Sequence, residues 1–255
     1  NQESKRLTVV PGKGKYIFLP AAVHAHCPVV APGAVAVMKL LYALPEYVGQ
    51  AGGGIVTYYR SYLPALVAAG HEVRVIVGSS VTSGERAAHT IDGVQVETLD
   101  AELFNAYLPR FARYGAVPVL RRSLAAAWAM REQVGRGEGC DLVEAADWGL
   151  LFLPWVIDTG PPCVVQLHGS MGQIDCYDPV AGEETMGALM RLVERAGIAR
   201  ADRAQAYSES NADFWRAQAG CDVECVLPAW RPLDLAAASA RSAEGIVVAR
   251  VQRWK

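Results

Sequence analysis

Apolar positions come in short runs whose period switches between two, or none, and about 3.6. Lys39–Leu44 is almost unbroken apolar sequence, as expected of a strand buried on both faces. A glycine loop from Gly49 to Gly54 follows. Ile55–Ala69 then predicts a helix with Ile55, Tyr59, Tyr62, Leu66 and Ala69 on one face and Gly70 as its terminator. Pro64 lies inside this helix and should kink it. Strands are predicted at Glu72–Gly78, at Val94–Leu99 after the Asp92-Gly93 turn, at Asp141–Ala145, at Cys163–Leu167 and at Arg203–Tyr207. Between them lie helical stretches at Val117–Val134 and Glu183–Ile198, and an apolar helix-like segment reaching Ile157 that Pro161-Pro162 stops. A short helix, Ala212–Ala219, is expected to be capped near Ser210 or Asn211. Strand and helix in strict alternation predict an α/β fold, a doubly wound, Rossmann-like parallel sheet with helices on both faces. Ligands of such sheets bind beyond the carboxyl ends of the strands, beside helix N-termini.

The pattern also divides the chain. Residues 1–37 are punctuated by Pro and Gly and fit no period, so they read as an extension or a remnant of another module. Residues 38–228 form the α/β domain and 229–244 a linker. Gly245-Ile246-Val247-Val248-Ala249-Arg250-Val251 is a buried-type strand running into a loop that ends at Lys255. A lone strand is not stable in water, so 245–255 is expected to be the first strand of a second domain.

Composition narrows the class. An apolar fraction of 52% over 255 residues is ample for a core, and a net charge of −2 gives no basis for nucleic-acid binding. The six cysteines form no C-x-x-C pair, so reduced thiols in a cytoplasmic protein are expected. Pro28–Leu44, the longest apolar candidate for a membrane span, is broken by Pro32, Gly33 and Lys39. Asn1 in place of Met reads as a processed or cut start, and Pro20 with His24 and His26 argues against a signal peptide. His24, His26 and Cys27 have metal-ligand identities but no fourth ligand at useful spacing, so no metal site is expected.

Chemistry is expected where strands end. Gly52-Gly53-Gly54 opens the first helix and leaves amide N–H groups free to meet an anion. It reads either as a dinucleotide loop or as a loop facing a phosphate or sugar. The dinucleotide reading lacks the G-x-G-x-x-G spacing, and the second strand ends Val77-Gly78-Ser79-Ser80, with no acid for a ribose. His168, backed by Gly169 and Ser170, directly follows a strand; a neutral imidazole there can bond a sugar hydroxyl, take a proton, or simply cap a loop. Asp147-Trp148 pairs an acid with an aromatic ring, which suits carbohydrate or equally a core tryptophan and a helix cap. Ser208-Glu209-Ser210-Asn211 is explained by capping. Arg110, Arg113, Arg121, Arg122, Arg131 and Arg136 share a stretch whose only acid is Glu132, with Phe104, Tyr107, Phe111 and Tyr114 interleaved. That stretch is a solvated face or a surface for peripheral membrane contact.

In order and spacing these pieces resemble the retaining GT-B glycosyltransferases of family 4. The resemblance rests on Gly52-Gly53-Gly54, on Tyr62-Leu63 and Ala65-Leu66, and on Ala69-Gly70-His71-Glu72-Val73-Arg74-Val75-Ile76. It continues through Asp141-Leu142-Val143-Glu144-Ala145-Ala146-Asp147-Trp148, Pro162-Cys163-Val164-Val165-Gln166-Leu167-His168-Gly169, Ala201-Asp202-Arg203 and Ser208-Glu209 to Ala249-Arg250 with Lys255, which is similar to a G-R-x4-K segment. It implies two Rossmann-like domains facing a cleft, this one on the acceptor side, and transfer of a sugar from a UDP- or GDP-sugar to a glycan, lipid or small-molecule acceptor with retained anomeric configuration. His168 would be catalytic, close to the reacting carbon. Gly53, Gly54, Arg250 and Lys255 would hold the donor diphosphate, and Gly52, Asp147, Trp148 and Ser170 the acceptor. Fixed cations would replace a metal, and no cofactor is implied beyond the nucleotide sugar. The implied setting is carbohydrate biosynthesis in the cytoplasm or at the inner membrane face, with membrane contact through Arg110, Arg113, Arg121 and Arg122. Ala249 stands for the usual glycine and Ala146 for a histidine of some relatives. The family's E-x7-E segment would lie beyond Lys255, so the 255-residue chain alone is expected to be inactive. The alternative is a non-catalytic module that binds an acceptor glycan or a partner.

Overall fold

The computed structural model describes residues 36–48, 53–179 and 182–228. The predicted linker, the strand at 245–255 and all but the end of the N-terminal extension lie outside the described residues.

Strand β1 (Lys39–Leu44) sits at the centre of the sheet and alternates cleanly between its faces. Leu40, Tyr42 and Leu44 pack on one side with Tyr59 and Leu63 of helix α1 (Gly54–Ala68), while Leu41 and Ala43 join the larger core on the other side. Helix α1 runs through Pro64 as one element. It closes at Gly70, where Gly70 N–H donates to Val67 O and His71 N–H to Leu66 O, satisfying two otherwise orphaned carbonyls. Tyr59 and Leu63 are its fully buried residues, each contributing on the order of 2 kcal/mol by burial. Ile55, Tyr62 and Leu66 are only partly covered.

The chain then builds outward from β1 on one side. β2 (Glu72–Val77) pairs parallel with β1, and β4 (Val94–Thr98) pairs parallel with β2. β3 (Ala88–Ile91) lies antiparallel on β4 at the edge, joined through Asp92 and Gly93. The alternation read from sequence missed this hairpin, because its residues Ala88, His89 and Thr90 are exposed and leave no hydrophobic signal. It also missed α2 (Ala101–Tyr107), a short helix that Asp100 caps by accepting from Glu102 N and Leu103 N. Helix α3 (Pro118–Gln133) carries the chain back across the larger core to the other side of β1. There β5 (Leu142–Ala146) pairs parallel with β1, α4 (Leu153–Ile157) follows, and β6 (Cys163–Leu167) pairs parallel with β5. A second short helix missed by the sequence pattern, α5 (Met171–Tyr177), precedes α6 (Glu184–Ile198). The run closes with β7 (Arg203–Ala206), α7 (Glu209–Ala219) and the two-residue β8 (Glu224–Cys225). Helix α7 starts earlier than predicted: its cap is Ser208, whose Oγ accepts from Asn211 N, not Ser210 or Asn211.

The strand order is β3-β4-β2-β1-β5-β6-β7-β8, parallel except at β3. Progression reverses between β1 and β5. That reversal leaves a crevice at the carboxyl ends of β1 and β5, whose connections depart to opposite faces, with the end of β6 next along.

Candidate functional site

The loops at this crevice carry His168, Asp147 and the N-terminus of α1. His168 follows β6 directly. Its turn is held from below by Asp147, which is 0% exposed. Asp147 Oδ1 accepts from His168 N and Oδ2 from Gly169 N, both at 3.1 Å. Burial pushes this carboxyl up to about 7, against the pull of the two amides. Gly169 has φ +126, a conformation other residues rarely adopt. Both oxygens of Asp147, expected from the sequence to meet an acceptor, are committed to the backbone in this structure, and its side chain is sealed beneath the turn.

Ser170 is likewise internal. It is fully buried and caps α5, its Oγ accepting from Gln173 N at 3.0 Å and donating to Glu194 Oε2 at 2.7 Å. Glu194 Oε1 takes Gly172 N–H at 3.0 Å. Asn211 completes the support: its Nδ2 donates to Leu167 O at 3.1 Å, and its Oδ1 accepts from Gln173 Nε2 at 2.7 Å. Trp148 is half-buried and opens a single 3-10 turn.

The His168 ring stands among tyrosines. Its centroid lies 5.1 Å from that of Tyr207, 5.4 Å from Tyr59 and 6.0 Å from Tyr58. Its Nε2 is 3.3 Å from the Tyr59 hydroxyl, which donates to Glu144 Oε1 at 2.7 Å. Burial drives His168 down to about 4, so the imidazole is neutral at pH 7. The same burial raises Tyr42, Tyr58, Tyr59, Tyr62 and Tyr207, which stay protonated. Glu144 is 6% exposed and is pushed up to about 7 by burial, with the Tyr59 hydrogen bond pulling the other way.

The sequence reading passed over Glu144 and gave Tyr59 only a core position. The signal was present: Glu144 is the one charged residue inside the strand Leu-Val-Glu-Ala-Ala. A lone acid at that depth must have a partner, and the helical face of α1 supplies one.

At the head of α1, Gly53 and Gly54 are exposed, and Gly53 N–H donates to Glu46 Oε1 at 2.9 Å. A carboxylate thus already sits where the free amides were expected to meet an anion. Gly52, Arg250 and Lys255 lie outside the described residues.

The four arginines expected to form one basic surface divide. Arg121 Nε donates to Leu108 O and Arg122 Nε to Ser80 O, so both serve the fold. Arg110 and Arg113 are exposed and lie over the rings of Tyr107 and Tyr114 at 4.1 and 4.8 Å. No helix among the described residues is long and apolar enough to cross a membrane.

Comparison with known proteins gives one family and a set of folds. The profile of the glycosyl transferase 4-like domain matches residues 53–230. No curated protein sequence matches the chain. Among solved structures, a sucrose-phosphate synthase from Thermosynechococcus elongatus superposes with a TM-score of 0.50 at 16% identity, over 74% of this chain and 48% of that one. The catalytic domain of starch synthase IV from Arabidopsis thaliana gives 0.48 at 12% identity, over 76% and 52%. An α,α-trehalose-phosphate synthase from Burkholderia xenovorans gives 0.42 at 13%, over 69% and 42%. The chain thus spans about half the length of such structures, and the likeness to the first is one of fold.

Proposed function

The chain belongs to the glycosyl transferase 4-like domain family, and from that premise we propose that it forms the acceptor-side half of a GT-B glycosyltransferase. The reaction is transfer of a sugar from a UDP- or GDP-sugar to a glycan, lipid or small-molecule acceptor, with retention at the anomeric carbon.

The observation that carries this reading is His168: a neutral, half-buried imidazole fixed at the carboxyl end of β6, one strand from the point between β1 and β5 where the strand order reverses. A neutral imidazole contributes one donor and one acceptor without bringing a charge that would compete for the diphosphate. The Asp147 clamp on its backbone fixes where the ring projects, and the ring is supported by Tyr58, Tyr59 and Tyr207. Pre-set geometry of this kind is what sugar transfer asks of a protein, since little covalent chemistry falls to its side chains. In this reading His168 contacts the donor sugar, and Trp148 at the neighbouring strand end offers an apolar ring to the acceptor. Gly53 and Gly54 meet the donor diphosphate after Glu46 gives way, because a diphosphate and that carboxylate cannot share one helix end. Arg250 and Lys255 are the cations proposed to neutralise the leaving group.

The test is incubation of the native gene product containing this chain with a panel of UDP- and GDP-sugars and candidate acceptors. Release of nucleoside diphosphate is measured, and the product anomer is read by NMR. Retained configuration with one donor supports the reading. Hydrolysis and transfer both absent across the panel, in protein that binds no nucleotide sugar, would overturn it.

A further inference from the structure

The central feature left unused is a carboxyl group buried in mid-sheet and wired to the candidate catalytic ring. Glu144 lies on the face of β5 that meets β1 and α1, in register with Tyr42. Its Oε1 accepts from the Tyr59 hydroxyl at 2.7 Å, and the same hydroxyl lies 3.3 Å from His168 Nε2. The His168 ring itself is half-buried at the turn after β6, so the chain Glu144–Tyr59–His168 has one end sealed in the core and the other at the crevice.

With the carboxyl proton on Oε1, the oxygen that faces Tyr59, the hydroxyl links the two groups in two arrangements. When Glu144 is ionised it can only accept, so Tyr59 donates to it. The Tyr59 oxygen then accepts from His168 Nε2–H, and Nδ1 carries the lone pair. When Glu144 is protonated, its O–H donates to Tyr59, Tyr59 donates to a bare Nε2, and the histidine proton sits on Nδ1. The two arrangements differ by one proton. A proton arriving at Nδ1 releases the Nε2 proton to the Tyr59 oxygen, and the Tyr59 proton passes to Glu144.

We infer that Glu144 and Tyr59 are positioning residues that set the tautomer of His168, so that the protonation state of a carboxyl in the sheet core decides whether Nδ1 accepts from or donates to a substrate hydroxyl. Burial places Glu144 at about 7 and keeps His168 itself uncharged until about 4, so the exchange occurs between two neutral imidazoles. The titratable groups set against this chain are Tyr42 from β1, Tyr58 and Tyr62 from α1, Cys163 from β6, Tyr207 after β7 and Asp147 beneath the turn. None of these is a cation. The tyrosines and Cys163 stay protonated near pH 7, while Asp147 is pushed to about 7 as well. Asp147 bonds to backbone amides, so only the Glu144 carboxyl is linked to Tyr59 and to the imidazole.

The inference rests on the proposed role of His168, but its test does not require turnover. Protein labelled with 15N-histidine is titrated from pH 5.5 to 8.5, the His168 signals being assigned by their loss in His168→Ala. The expected result is a change of at least about tenfold in the Nδ1–H to Nε2–H ratio, with a midpoint near 7 and Nε2–H dominant at high pH. In Tyr59→Phe and in Glu144→Gln that transition should disappear, and either variant suffices if the other fails to fold. A tautomer ratio constant with pH in the unmodified protein would overturn the inference, as would a transition that keeps its midpoint in a folded variant. Loss of sugar transfer with the tautomer exchange intact would instead count against the proposed function alone.

Discussion

Glu144 and Asp147 stand three residues apart, both buried and both held near 7 by desolvation, yet they differ in use. Asp147 spends both oxygens on backbone amides, and Glu144 faces a side-chain hydroxyl. Glu144→Gln keeps the volume and removes the charge that burial disfavours. It should therefore stabilise the domain at pH 8 by on the order of 1–3 kcal/mol and do little at pH 5. Urea midpoints at the two pH values would check this, and equal shifts at both would rule out a desolvated charge. Asp147→Ala should act differently: it leaves two amides of the His168 turn without their acceptor, costing roughly 1–3 kcal/mol and loosening the candidate site. Amide hydrogen exchange at His168 and Gly169 should rise. Unchanged protection there would remove the clamp from the account.

At the scale of elements, helices on the larger core sit at backbone-to-side-chain contact distance. A Cβ built on Gly197 of α6 would come within 2.6 Å of Phe152 and 2.7 Å of Leu153. Gly197→Ala should thus cost about 1–3 kcal/mol through overpacking, with about 1 kcal/mol of helix propensity offsetting part of it; thermal melting measures the balance. A rise in Tm would show that α6 can move away.

The same scale explains what could be read before the structure. β1, β2, β5 and β6 were legible because burial on both faces leaves short, mostly apolar runs, and α1, α3 and α6 because their helical stretches are long. β3, α2 and α5 were not, because an exposed edge strand and seven-residue helices have too few core positions to set a period. The place of His168 directly after a strand was legible in the sequence. Ser170 and Asp147 were given ligand roles since sequence shows that a polar residue follows a strand but not which way it points. Glu144 and Tyr59 could be joined only in three dimensions, being 85 residues apart.

At the scale of the whole domain, three buried carboxyls among the described residues, Glu144, Asp147 and Glu194, are each raised to about 7 by desolvation. A raised carboxyl favours the folded state fully below its unfolded value near 4.5 and loses that advantage as pH rises through about 7. His168 has the opposite sign: lowered to about 4, it favours folding above 6.5 and loses that as pH falls. Three groups oppose one between pH 5.5 and 7.5, so Tm should fall as pH rises across that interval. A flat or rising Tm would mean that these carboxyls are hydrated in solution.

The central claim is that the crevice beside His168 is where sugar transfer takes place. Its most direct test is kcat and KM for transfer by the native gene product containing this chain, compared between the unmodified protein and His168→Ala with matched melting curves. The account predicts a fall in kcat of at least about 10²-fold with folding intact. An unchanged kcat in the folded variant would contradict it.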